Sequence, residues 1–78
     1  VFDSRFEEEL YAWLKEKREG YFAEFLAAVM EEKQRVIEQG SHEFKPYLQA
    51  AGRLAEKGIV EMHGHALNPY LKLLKEVG

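Results

Sequence analysis

The 78-residue chain has no cysteine, only two prolines, six glycines that stand singly, and no long apolar run. Without cysteine there is no disulfide and no thiolate metal site, and nothing argues for an oxidising compartment. Isolated glycines leave no phosphate-cradling loop. The oiliest stretch, "YFAEFLAAVM" at residues 21–30, is followed by Glu31, Glu32 and Lys33. It is half of the ~20 residues that a bilayer-crossing helix needs, so no membrane span is expected. A basic stripe is also missing. Residues 1–39 hold ten acidic and six basic side chains, residues 40–78 four and five, a division near −4 and +1. Such a balance gives nucleic-acid binding no electrostatic footprint and reads first as solubility.

What is present is a core-forming composition: 46% hydrophobic and 13% aromatic, too rich for a disordered chain. The length fits one domain, residues 1–78, and the expected location is the cytoplasm. A chain this short buries only about 60% of its unfolded surface, so good packing or association has to supply the remaining stability.

Periodicity predicts an all-α fold, a small helical bundle. Ser4 and Glu7 fit an S-x-x-E capping box, and Phe6, Leu10, Trp13 and Leu14 recur at helical spacing. The pattern resumes beyond Gly20 with Phe22, Phe25, Leu26, Val29, Met30, Lys33, Val36 and Ile37, and Gly40 closes it as a C′ glycine. The stripes on the two sides of Gly20 are centred about 110° apart at ~100° per residue. One long N-terminal helix, kinked or straight at Gly20, is therefore expected. Pro46 starts a second helix near 46–57 with Tyr47, Ala51, Leu54 and Ala55 inward, and Gly58 stops it. "IVEMHGHAL" reads as an extended connector, a single strand or half of a β-arm. Asn68 as N-cap and Pro69 at the first helical position predict a short C-terminal helix with Tyr70, Leu73, Leu74 and Val77 inward.

The second stripe is wider than a two-stranded coiled-coil seam, and the remaining chain offers little to cover it. Phe22, Phe25, Leu26, Val29, Met30, Lys33, Val36 and Ile37 are thus the candidate protein–protein interface as well as the candidate core. Lys33, in mid-stripe, either snorkels to the rim or pairs with a carboxylate of a neighbouring chain.

No catalytic constellation stands out. Ser41, His42 and Glu43 are adjacent, whereas triad members meet from separate elements. Glu61, His63 and His65 would share one face of a strand and offer three metal ligands, but no partner motif stands elsewhere. No enzyme activity, cofactor or small-molecule ligand is expected.

Residues 54–77, "LAEKGIVEMHGHALNPYLKLLKEV", resemble the core of one family of phage terminase small subunits. The matching residues are Leu54, Ala55, Glu56, Gly58, Ile59, Val60, Gly64, Asn68, Pro69 and Tyr70, with Tyr47 at an aromatic position of the preceding helix. The resemblance implies a role in viral genome packaging, through rings that recognise phage DNA and regulate the large subunit. The family's basic regions at either end have no counterpart in this sequence, so the resemblance implies self-association more directly than DNA contact.

The expectation from sequence is a non-catalytic helical interaction or oligomerisation module that self-associates or binds a larger protein, reaching nucleic acid only through such an assembly. A small acidic inhibitor of a larger partner and a structural virion subunit are the alternatives.

Overall fold

The computed structural model describes residues 2–34, 36–38, 41–65 and 67–77. The chain runs α1 (Arg5–Lys17), β1 (Glu19–Tyr21), α2 (Phe22–Lys33), α3 (Phe44–Glu56), β2 (Val60–His65) and β3 (Asn68–Leu73). The strands form one antiparallel sheet in the order β1-β3-β2. The fold is therefore mixed α/β, which corrects the all-α helical bundle that periodicity predicts.

The long helix is the first casualty. Ser4 is the N-cap of α1, Glu7 and Glu8 lie in its first turn, and Lys15 and Lys17 lie in its last, all favourable to the helix dipole. The helix stops before Gly20. Arg18 takes φ 76°, and its N–H returns to Leu14 O at 2.7 Å. The chain then spends three residues pairing with β3, Glu19 opposite Lys72 and Tyr21 opposite Tyr70. Gly20 has a different task from kinking a helix. A Cβ there would lie 2.6 Å from Cη2 of Trp13, so only glycine lets the indole lie against the strand. The displaced apolar stripes belong to two helices with separate axes.

In α2, Phe22, Phe25, Leu26 and Val29 are buried at i, i+3, i+4, i+7 spacing. Its start is closed twice: the Tyr21 N–H donates to Glu24 at 2.7 Å, and the Ala23 N–H donates to Asn68 Oδ1 at 2.9 Å. Gln34 ends it in the left-handed region, φ 54°. The expected cap Gly40 lies outside the described residues. In α3, Ser41 Oγ accepts the Phe44 N–H at 3.3 Å, and Pro46 sits in the first turn, where a missing N–H costs nothing. Tyr47, Ala50, Ala51 and Leu54 face inward, and Gly58 follows with φ 74°.

The expected C-terminal helix is β3. Its inward residues alternate, with Pro69 and Leu71 buried and Leu73 partly so, while Tyr70 and Lys72 face out. Tyr70, Leu73, Leu74 and Val77 fit a helix equally well in isolation. Partners decide the matter, because β2 supplies a complete register from Val60 opposite Leu73 to His65 opposite Asn68. Proline is rare in a central strand. Here β1 covers only Tyr70 to Lys72, leaving one side of β3 open at Pro69. Beyond β3 the tail is pinned by Tyr11, whose hydroxyl accepts the Val77 N–H at 2.7 Å and lies 3.1 Å from its carbonyl.

The core lies between the sheet and the helices. Leu10, Leu14, Phe22, Phe25, Tyr47, Leu54, Ile59, Val60 and Leu71 are each at most 2% exposed. Aromatic rings meet edge-on at its centre, Phe25 on Tyr47 at 5.4 Å and Phe22 on Phe44 at 5.7 Å. No described helix is long and apolar enough to cross a membrane.

Candidate functional site

The expected interface on residues 22–37 is mostly spent inside the chain. Phe22, Phe25, Leu26, Val29 and Ile37 are buried, Met30 packs half-buried on the core, and Val36 is 74% exposed. Lys33 is half-buried and reaches Glu9 Oε1 of the same chain at 3.5 Å. The breadth of this stripe therefore has an intramolecular cause: α1, α3 and the sheet surround one helix.

The family-like residues scatter in role. Leu54 is core, Gly58 makes the turn after α3, and Pro69 is buried in β3. Asn68 does cap a helix, but it is α2, 45 positions away in sequence. Tyr70 joins the outer face of the sheet.

That outer face is built by register, since directly opposed residues of antiparallel strands share a face. One row is Glu19, Lys72 and Glu61; the next is Tyr21, Tyr70 and His63. The Tyr21 and Tyr70 rings meet edge-on at 4.9 Å. Tyr70 OH donates to Glu19 Oε1 at 2.5 Å, which with partial burial pushes the phenol up to about 12. Glu61 contacts the His63 ring, and that hydrogen bond holds its carboxyl below the usual range. The side chain of His65 lies outside the described residues, among which no three His, Asp or Glu side chains gather around a common point.

A second surface is the outward side of α3. Lys45, Gln49, Arg53 and Glu56 are exposed there, opposite the buried Phe44, Tyr47, Ala51 and Leu54. Arg53 has a single long contact to Asp3, 3.8 Å, with both side chains more than half exposed. A Cβ on Gly52 would meet nothing within 4 Å, so the helix backbone is open to close approach.

Sequence reasoning marked the inner face of this helix and left its complement unread, although 3.6-residue periodicity gives both at once. The Tyr21–Tyr70 pair had no local signal, because it exists only through strand register.

Beneath α3 lies a polar knot. Glu7 is fully buried, accepting the Lys57 ammonium at 2.7 Å and the Asp3 N–H at 3.2 Å. Lys57 also lies 3.2 Å from Asp3, and the Glu7 hydrogen bond raises its pKa above the ordinary value. Tyr47 OH donates to Glu9 at 3.0 Å; burial first, then that hydrogen bond, pushes it up to about 12. These groups lock α1 to α3 and its C-terminal cap.

No family model, curated protein or solved structure matches the chain.

Proposed function

We propose that this chain is a non-catalytic binding module of the winged helix–turn–helix type, which docks duplex nucleic acid with α3, the β2–β3 hairpin lying alongside as the wing. One observation carries the reading. Two successive helices, α2 and α3, are followed by a hairpin whose second strand is central in the sheet order β1-β3-β2, with a helix and a short strand before them. That is the connectivity of a winged helix, in which α3 occupies the recognition position.

The exposed side of α3 has suitable chemistry. Lys45 and Arg53 suit phosphate or guanine, and Gln49 suits adenine. Gly52 between them favours close backbone approach. The division of charge, about −4 in the first half of the sequence and near +1 in the half holding α3 and the hairpin, supplies no basic footprint, so the reading rests on the connectivity and on these α3 side chains. Self-association is not required, because the apolar stripe of α2 is covered within the chain.

Two cations on α3 give few phosphate contacts, so binding should be weak, with a salt slope of about −2. The test is fluorescence anisotropy of labelled duplex DNA over a salt series. Binding at low salt that Lys45→Ala and Arg53→Ala each weaken, with a reduced slope, is expected. Absence of binding at low salt, or binding indifferent to both substitutions, refutes the reading.

A further inference from the structure

Between α1 and α2 lies a groove of about 290 Å³. Its floor is the half-buried Trp13 with Ala12 and Ala28 beside it, and Phe25 and Val29 lie buried beneath. Glu9, Glu16 and Glu32 form its rim. The volume falls at the bottom of the range for small-molecule sites and suits one or two apolar side chains. The three carboxylates are not equivalent. Glu9 is engaged by Lys33 and by the Tyr47 hydroxyl. Among the described residues, Glu16 and Glu32 have no cationic partner, and both are exposed. They stand one turn beyond Trp13 and Val29, on opposite banks of the apolar floor.

We infer that this groove docks a segment of a partner protein in which an apolar anchor is flanked by Lys or Arg. The floor supplies the apolar contact, and the unpaired rim carboxylates select the flanking charge. A nucleic acid is repelled by the same carboxylates, and an acidic or neutral helix would leave them uncompensated. The site lies on different elements from the outward face of α3 and stands independently of the nucleic-acid reading.

Trp13 is the chain's only tryptophan and lies in the groove, so its emission reports occupancy directly. The probes are two synthetic amphipathic helical peptides, one of leucine and lysine and one of leucine and glutamate, titrated into the full chain. Expected are saturable binding of the lysine peptide with a shift in Trp13 emission, and no binding of the glutamate peptide. Glu16→Lys with Glu32→Lys should weaken binding at least tenfold. Glu8→Lys with Glu31→Lys, the same change of charge at exposed positions outside the groove, should leave it within twofold. Circular dichroism confirms that both variants fold. Equal binding of the two peptides, equal loss in both double variants, or no change in Trp13 emission overturns the proposal. So does a Trp13 shift that grows with protein concentration alone, which would make a second copy of the chain the occupant.

Discussion

Replacing Lys57 by methionine isolates the contribution of the knot beneath α3. Glu7 is fully buried and takes two donors, the Lys57 ammonium at 2.7 Å and the Asp3 N–H at 3.2 Å. Removing one partner of a fully buried ion pair costs about 3–5 kcal/mol, because the remaining charge is stranded. Two features reduce that figure here. The Lys57 side chain is 28% exposed, so water already screens the pair, and the Asp3 N–H stays on the carboxylate. A loss of about 2–3 kcal/mol is therefore expected, against a total stability of about 4–12 kcal/mol for a chain of this length. Urea unfolding followed by far-UV circular dichroism measures it. Glu7→Leu with Lys57→Met should recover most of the loss, since no charge is then stranded. The pair raises the Lys57 pKa above its ordinary 10.5, so on the alkaline side its stabilisation is kept up to that value and fades as the solution passes above it. A single variant within about 0.5 kcal/mol of the wild type, or a double variant no better than the single, would refute this account of Glu7.

Other perturbations address other links. Gly20→Ala drives a methyl into Trp13 and should cost about 1–3 kcal/mol while shifting tryptophan emission; an unchanged melt would mean the indole does not lie on β1. Asn68→Ala removes the acceptor of the Ala23 N–H and should cost about 1 kcal/mol, with faster amide exchange confined to the first turn of α2; exchange unchanged there would sever the hairpin from α2. Tyr47 stays protonated in the folded chain to about 12, against 10.0 for an unburied phenol. Its contribution is thus complete below 10 and lost as pH rises through 12, and Tyr47→Phe should flatten that alkaline decline.

Much of the local structure was legible. The Pro46 start, the inner face of α3 and the Gly58 stop follow from residue types alone, and the connector after Gly58 is a strand as "IVEMH" allows. The rest depended on contacts distant in sequence. Gly20 was recognisable as unusual, but the helix ends two residues earlier, at Arg18, a residue that carries no breaking signal. Asn68 was readable as a cap, yet nothing local says which helix it closes. The Tyr70–Val77 segment satisfies both helical and alternating spacing, and only the presence of β2 selects the strand. The apolar breadth of α2 indicated burial on several sides and could not indicate whether the covering surface was this chain or another. The two candidate surfaces differ likewise: the outward side of α3 was implicit in its inner face, whereas the α1–α2 groove required the break between those helices.

The most direct test of the central claim is a ¹H–¹⁵N correlation spectrum of the labelled chain titrated with a short DNA duplex. The account predicts that perturbed amides cluster on Lys45, Gln49, Arg53 and the β2–β3 hairpin, while Trp13, Glu16 and Glu32 stay unmoved. Perturbations centred on the α1–α2 groove, or no perturbation at low salt, would contradict it.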